Sequence, residues 1–458
     1  MRTLRLLPLT LALSALYAAP AHAQSLLDLY NAAKGYDSAY QSARSLAEAN
    51  QYKADQAKAN LLPTVTASAG VSNTQLRTET TSTTDRSYDT QSASVSATQP
   101  LYRPANLASY RQGSLQSDLA NAQLEAAEQD LIVRVSQAYF DVLASQDSLT
   151  FVQAQKVAVA EQLASAKRNF EVGTATITDT REAQARYDLV IAQEIAADND
   201  LRVKKLFLDQ LVGKTNATPQ TLTPGFTPPA VVPDDLNTWV QQGVDTHPSV
   251  RLARVSLDTA KYETDKASSG HKPTLDLTGS YGYTRNINGS TISAADSRTT
   301  STTVGVSLTV PLFAGFATQN RLRETLSLEE KARADLEAAQ RSVAQATRTA
   351  YFGVVSGQGQ VKALEAAETS SQSALDANKL GYQVGVRINI DVLNSQSQLF
   401  QTKRDLAKAR YDLLMAGLKL RQANGTLKLD DLQQVNGLLT APSEASAPAT
   451  AAPASQSK

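Results

Sequence analysis

The side chains that most often carry catalytic or metal chemistry are scarce in this 458-residue chain. It contains no Cys and three His, at positions 22, 247 and 271. The absence of Cys excludes thiolate nucleophiles, disulfides and Cys-ligated zinc. His22 lies in a segment with the pattern of a cleaved export signal, and His247 and His271 are too few for an all-His metal site. The sequence thus indicates no catalytic residue, no cofactor and no metal site, which argues against an enzyme.

The charge balance argues against a nucleic-acid partner. Lys and Arg number 44, Asp and Glu also number 44, and the formal charge is zero. Proteins that bind nucleic acid through phosphate contacts need a basic excess. We therefore expect no nucleic acid among the partners.

Residues 1–23 have the features of a secretory signal peptide. Arg2 and Arg5 precede the apolar stretch 6–19, and small residues flank position 22 before the expected cleavage site. Downstream we find no run of about 18–20 apolar residues, the length needed for a spanning helix. Two alternatives remain: a soluble exported protein, or one that crosses a membrane by strands closed into a barrel.

The mature chain is an internal duplication. Ala138-Tyr139-Phe140 recurs as Ala350-Tyr351-Phe352, Gly173 as Gly385 and Asp179 as Asp391, each 212 residues later. Generic similarity between Ala-rich helices would not also place Gly in register. We predict a first structural repeat at 24–213, a Pro-rich linker at 214–233, a second repeat at 234–425, and a C-terminal extension at 426–458 that is disordered after about 440.

Each repeat has the same predicted order of elements, namely a helix, two strands and a long helical region. Residues 114–172 and 174–212 contain neither Gly nor Pro, and apolar residues recur there at spacings of three and four, as in a coiled coil. Period-2 alternation predicts strands, with polar loops between the members of each pair. The predicted strands are 64–72, 92–99, 274–283 and 303–310, and the predicted loops are 73–91 and 284–302.

Four strands cannot close a barrel alone, because the smallest barrels have about eight. A membrane-spanning interpretation therefore requires an oligomer, with 8 strands in a dimer or 12 in a trimer. The alternative is a soluble patch of two sheets with one solvated face, which the alternation alone does not exclude. Tyr102, Tyr281, Tyr283 and Phe313 could form aromatic belts at the lipid interface.

Several segments together give the chain a family resemblance. They are Ala138-Tyr139-Phe140-Asp141-Val142-Leu143, Gln153-Ala154-Gln155-Lys156, Val172-Gly173-Thr174-Ala175-Thr176-Ile177-Thr178-Asp179, and the stretch 382–394, which begins Tyr-Gln-Val-Gly-Val-Arg. With the duplicated order of elements, the chain resembles the TolC-type outer-membrane efflux proteins over nearly its whole mature length.

The resemblance implies a mixed fold, an all-α coiled-coil barrel plus a transmembrane β-barrel. Three chains would share one 12-stranded barrel among outer-membrane lipid and one helical tunnel with a large periplasmic portion. Such a homotrimer exports drugs, other small molecules or unfolded proteins without catalysis of its own. Its implied partners are a periplasmic adaptor (membrane fusion) protein and an inner-membrane RND, ABC or MFS transporter.

The resemblance also implies a periplasmic gate held by polar links. Tyr382 and Arg387 fall on one side of these links and Thr178 and Asp179 on the other, so that Asp179 would accept from the Tyr382 hydroxyl and Arg387 would donate to Thr178. An alternative from the residues themselves is helix capping. Asp179 with Glu182 fits a D-x-x-E capping box in which Asp179 is the N-cap, and Asp391 could cap the equivalent helix.

Two further expectations concern the tunnel end. Asp391 matches a lumen-facing position at the constriction, where three copies would form an acidic ring that favours cations. The next lumen-facing position, acidic in relatives, is Asn394, which predicts a weaker cation preference and weaker block by trivalent cations. Gly173 and Gly385 are expected to mark the turns between paired helices at the periplasmic tip, or simply to end a helix.

Two functions of other classes are alternatives to an efflux channel. A periplasmic adaptor would carry additional domains between two helices, whereas the repeat here divides the whole chain. A trimeric adhesin would show a C-terminal membrane anchor, whereas this chain ends in an Ala-, Pro- and Ser-rich segment.

Overall fold

In a computed structural model, the structure describes residues 23–79, 83–223 and 231–440. The predicted export signal, apart from its last residue, lies outside this part of the chain. So do residues 80–82 of a predicted loop, residues 224–230 of the predicted linker, and the segment after 440 that is predicted to be disordered.

Each half contains a pair of shorter helices, a pair of strands and a pair of long helices, which confirms the predicted order. The first half comprises α1 (Leu26–Tyr36), α2 (Ser38–Ala59), β1 (Thr64–Glu79), β2 (Thr83–Tyr102), α3 (Pro104–Glu171) and α4 (Ile177–Val212). After the short strand β3 (Thr221–Leu222), the second half comprises α5 (Leu236–Thr246), α6 (Pro248–Ser268), a 3-10 turn (Ser269–His271), β4 (Thr274–Ile287), β5 (Ser297–Thr309), α7 (Ala317–Gln383) and α8 (Asn389–Ala423), followed by α9 (Leu429–Asn436) and β6 (Leu439–Thr440).

The long helices follow from composition. Helix α3 has 68 residues and α7 has 67, both rich in Ala, Leu, Gln and Glu, which are good helix formers. Helix α7 continues through Gly353, Gly357 and Gly359, each of which costs about 1 kcal/mol relative to Ala. The high helix propensity of the many Ala, Leu, Gln and Glu residues in the same helix offsets that cost. None of the helices in the described ranges is both long enough and apolar enough to cross a membrane.

The four main strands form one antiparallel sheet in the order β1-β2-β4-β5. Thr64 pairs with Thr98, Asp89 with Ile287, and Thr274 with Thr309. Among the described residues, the outer edges of β1 and β5 pair with no further strand. Apolar side chains on the sheet are exposed rather than packed, with Val71 at 77% and Val304 at 76% exposure.

The predicted loops are largely wrong, because the strands run through them. The segment 73–91 is strand on both sides of residues 80–82, and 284–302 is strand except for 288–296. Polar side chains pair across these segments, as in the hydrogen bonds that the Asn73 amide donates to the Ser87 hydroxyl at 3.3 Å and to the Asp89 carboxylate at 2.7 Å. Cross-strand pairs of this kind stabilise a strand that has no apolar alternation to detect.

A second, two-stranded sheet was not predicted. Thr221 and Leu222 of β3, within the predicted linker, pair with Thr440 and Leu439 of β6. Gln24 forms a further bridge to Pro219.

The chain divides into two compact units. One holds the sheet, in Ala43–Leu124 and Pro248–Arg341, and the other comprises Met1–Ser42, Glu125–His247 and Ser342–Lys458 as far as these are described. In the second unit, α8 buries an apolar side along most of its length. One cluster there joins Trp239, Tyr351, Val354, Leu406 and Leu413, and another joins Val152, Leu163, Ala166, Ala183 and Leu393.

Candidate gate at the helix turns

The turns that join the two pairs of long helices have the same backbone design. Gly173 and Gly385 have φ values of 78° and 77°, a conformation that favours glycine. In the first turn the Thr174 N–H donates to the Asn169 carbonyl at 2.8 Å, and in the second the Val386 N–H donates to the Gly381 carbonyl at 2.9 Å. Each pair spans five residues, as in a Schellman motif. The structure therefore places both glycines in the turns between paired helices.

The first turn ends in a capping box. Thr176 is the N-cap of α4, and its hydroxyl accepts from the Asp179 N–H at 3.2 Å. The Asp179 carboxylate accepts from the N–H and the hydroxyl of Thr176 at 2.9 and 2.8 Å. The alternative in which Asp179 is itself the N-cap is wrong, because the helix begins three residues earlier than the D-x-x-E pattern suggested. Thr178 lies exposed in the first helical turn.

The second turn lacks such a box. Ile388 is the N-cap of α8 and has no side-chain capping bond. The expectation that Asp391 caps this helix is wrong, because Asp391 lies three residues inside it. Its carboxylate is 3.6 Å from the Arg387 guanidinium, an ion pair in which the Arg387 side chain is 58% exposed.

Within one chain the predicted gate residues have other partners than those predicted. The Tyr382 hydroxyl accepts from the Asn169 amide at 3.3 Å, and Arg387 pairs with Asp391. The pairs Tyr382–Asp179 and Arg387–Thr178 therefore stay predictions.

Sequence reasoning missed the residue that ties the two turns together. Asn389, the first residue of α8, has no exposed surface. Its side-chain N–H donates to the Asp179 carbonyl at 3.3 Å, and its side-chain oxygen accepts from the Gln162 amide. The signal was present in the duplication, because position 389 corresponds to Ile177, 212 residues earlier. Where one repeat has a polar residue and the other has an apolar residue at the equivalent position, the two halves are expected to differ in structure.

The proposed constriction position Asn394 is also partnered. Its side-chain oxygen accepts from the Arg186 guanidinium at 2.7 Å, so a positive charge from α4 lies beside it. This neighbour was not predicted, because Arg186 is distant from Asn394 in sequence.

Buried titratable groups lie further along the same helices. The Tyr411 hydroxyl donates to the Asp147 carboxylate at 2.7 Å, and burial raises the pKa of the Asp147 carboxyl. Elsewhere in this unit a hydrogen bond from Arg134 lowers the pKa of Asp37. Both contacts join separate segments of this unit, Tyr411 of α8 with Asp147 of α3, and Arg134 of α3 with Asp37 between α1 and α2. In the described part of the chain, no group of three or more His, Asp or Glu side chains could hold a metal ion.

The order of elements, the duplicated turns and the four-stranded sheet are those of the family that the sequence resembles, and comparison with known proteins agrees. The family model described as "Outer membrane efflux protein" matches residues 29–214 and 239–426. The chain belongs to this family, and not to the adaptors or adhesins considered above. It is an efflux channel located in the outer membrane, with a large periplasmic portion, and so a transporter in kind.

Curated relatives cover most of the chain. It is 33% identical over 414 residues to outer membrane protein TolC of Vibrio cholerae, covering 90% of this chain and 93% of that one. It is 31% identical over 422 residues to the alkaline protease secretion protein AprF of Pseudomonas aeruginosa, covering 91% and 87%.

Solved structures share the fold. The outer membrane protein VceC of Vibrio cholerae superimposes with a TM-score of 0.75 at 18% identity, covering 87% of this chain and 96% of that one. CusC superimposes with a TM-score of 0.77 at 16% identity, covering 88% and 92%.

Proposed function

We propose that three copies of this chain form one channel through the outer membrane, closed at its periplasmic end by the helix turns. The observation that carries the proposal is the open sheet, whose edge strands β1 and β5 pair with no further strand in the described ranges, while its apolar side chains are exposed. In a membrane every backbone polar group must be paired, so an open edge requires another strand. Three copies would supply 12 strands, within the range of known barrels.

The names of two relatives support a proposal for the cargo and the partners. One relative is named for efflux-type export and another for secretion of alkaline protease. We therefore propose that drugs, other small molecules or unfolded proteins enter from an inner-membrane RND, ABC or MFS transporter through a periplasmic adaptor protein.

The gate in this proposal consists of Thr178, Asp179, Tyr382 and Arg387. In a single chain the Asp179 carboxylate is held in its capping box, yet it retains lone pairs for a tyrosine hydroxyl from a neighbouring copy. Each such bond contributes about 1 kcal/mol net, and more where a charge takes part. Three copies would keep the channel shut but release it under the forces of partner binding.

The test combines mass and conductance. Purified mature protein in detergent should have the mass of three chains by native mass spectrometry, and it should form pores in planar bilayers. Tyr382→Phe combined with Arg387→Ser should raise single-channel conductance severalfold, because both polar links are lost.

Arg181→Ser is the matched control. Arg181 is exposed on α4 near the same turn, and its replacement should leave conductance unchanged. A monomer that never conducts ions would overturn the channel, whereas equal conductance of the gate variant and the wild type would overturn only the gate. Cargo is assigned by a deletion strain scored for both drug susceptibility and secreted proteins.

A further inference from the structure

A polar cavity of about 380 Å³ lies between α3, α4 and α8. Its lining contains two arginines, Arg186 and Arg404, together with five amide side chains, one serine and three aliphatic side chains. No carboxylate lines it. The volume falls within the range of small-molecule sites, about 300–1,000 Å³.

In the described part of the chain, the side-chain hydrogen bonds of the two arginines go to amide oxygens. Arg186 donates to the Asn394 side-chain oxygen at 2.7 Å. Arg404 donates to the side-chain oxygens of Gln155 at 3.0 Å and Gln401 at 2.7 Å. In the described ranges neither arginine forms an ion pair, whereas Arg134, Arg321 and Arg421 each pair with a carboxylate.

The surroundings of the two arginines are partly shielded from solvent. Both arginines are partly buried, and burial lowers the pKa of the Arg404 guanidinium. Asp405, the next residue along the chain, accepts from the Gln401 amide and does not line the cavity. The charge of Asp405 acts on Arg404, but no carboxylate lies in the lining, so an anion that entered the cavity could accept hydrogen bonds from both guanidinium groups.

The amides around the arginines add unused hydrogen-bonding capacity. Gln155 is 4% exposed, and the buried side-chain oxygen of Gln193 has no hydrogen-bond partner among the described residues. An amide group can turn to present either its oxygen or its NH2 group. A bound oxyanion would accept from guanidinium and amide groups together, which is the chemistry that carboxylates and phosphates share.

We propose that this cavity binds a small solute bearing carboxylate or phosphate groups, held by Arg186 and Arg404. The inference rests on the proposed function, because Asn394, the partner of Arg186, is a residue proposed to line the constriction. It names a substrate class for that site, because solutes that carry carboxylate or phosphate groups would be held at the two guanidinium groups.

The primary test is equilibrium binding to the full mature chain in detergent. Isothermal titration with citrate, with inorganic phosphate and with chloride at matched ionic strength should show saturable binding of citrate or phosphate but not of chloride. Stronger binding of citrate would indicate that the natural solute carries carboxylate groups. Stronger binding of phosphate would indicate that it carries phosphate groups. R186Q and R404Q should each weaken binding about tenfold, the scale of one charge-assisted contact.

Arg181→Gln is the matched control, because Arg181 lies on α4 outside the cavity lining. It should bind as the wild type does. Wild-type protein with no saturable binding at millimolar concentrations, or an R186Q/R404Q double variant that binds unchanged, would overturn the proposal. If the glutamine variants do not fold, R186K and R404K decide the matter: weaker saturable binding supports the site, and unchanged binding overturns it.

Conductance measured on the same preparation separates this inference from the proposed function. A pore that conducts but binds no oxyanion would sink the inference alone. Protein that binds citrate yet never conducts would sink the channel alone. In a conducting pore, citrate should also reduce the current of the wild type and not of the double variant.

Discussion

The two helix turns descend from one duplicated sequence but are stabilised in different ways. The first turn is closed locally, by the capping box of Thr176 and Asp179. The second turn has an uncapped Ile388 and instead relies on Asn389, which reaches across to Gln162 and to the Asp179 backbone. The second turn is thus anchored by hydrogen bonds to α3 and α4, the two helices that flank the first turn. We therefore predict that α3 and α4 form the fixed support, and that the start of α8 is the element whose position changes when the proposed gate opens.

The largest expected effect tests the bridge itself. Asn389→Ala removes the buried amide and leaves Gln162 and a backbone carbonyl without their partner, which should cost about 2 kcal/mol per chain. The midpoint of thermal unfolding, followed by far-UV circular dichroism, should fall accordingly.

The duplication supplies the control for Asn389. Ile177 occupies the equivalent position of the first half and is 48% exposed. Ile177→Ala should change stability by no more than about 0.5 kcal/mol, as for most surface substitutions. Equal destabilisation by the two variants would contradict the idea that only the second turn depends on a cross-link.

The next effect concerns the local cap. Thr176→Ala removes the N-cap hydroxyl and should cost about 1 kcal/mol, whereas Ile388→Ala removes no capping bond and should cost less. Hydrogen exchange of the amides at the start of α4 and α8 measures this directly, with faster exchange expected in α4 only. Ile388→Thr should slow exchange in α8, because Asp391 is already three residues inside the helix and could complete a box.

The sequence alone predicted most of the fold because its signals were repeated. The matches of Gly173 with Gly385 and of Phe140 with Phe352 predicted two equivalent halves, and the absence of Gly and Pro predicted α3 and α4. The strands were underestimated where Thr, Ser and Asn occupy both faces, as around Asn73 and Asp89. There the backbone ladder and polar pairs extend the strand without any hydrophobic periodicity.

The candidate site was less accessible to sequence reasoning. The glycine turns were predicted from one residue each, but the register of the cap was wrong because Asp179 fits two overlapping patterns, as N-cap or as the third helical residue. The partners Asn169 and Arg186 lie about 210 residues from Tyr382 and Asn394, and only packing of the four long helices brings them together. Asn389 was detectable by aligning the two repeats, because it is polar whereas Ile177 at the equivalent position is apolar.

The smallest expected effect on stability separates the structural role of Asp391 from its proposed role in the lumen. Asp179 and Asp391 occupy equivalent positions, but the Asp391 carboxylate forms a 3.6 Å ion pair with Arg387, whose side chain is 58% exposed, and pairs of this kind contribute about 0.5 kcal/mol or less. Asp391→Ala should therefore leave the unfolding midpoint nearly unchanged.

The reversal potential of the Asp391→Ala channel in a salt gradient across a planar bilayer should nevertheless shift toward anions, because three carboxylates would leave the constriction while Arg387 and Arg186 remain. Asp188→Ala, on the exposed side of α4, serves as the control and should shift nothing. An unchanged reversal potential in Asp391→Ala would contradict the proposed position of Asp391 at the constriction. Its ion pair with Arg387 at the second turn would then be its only assigned role.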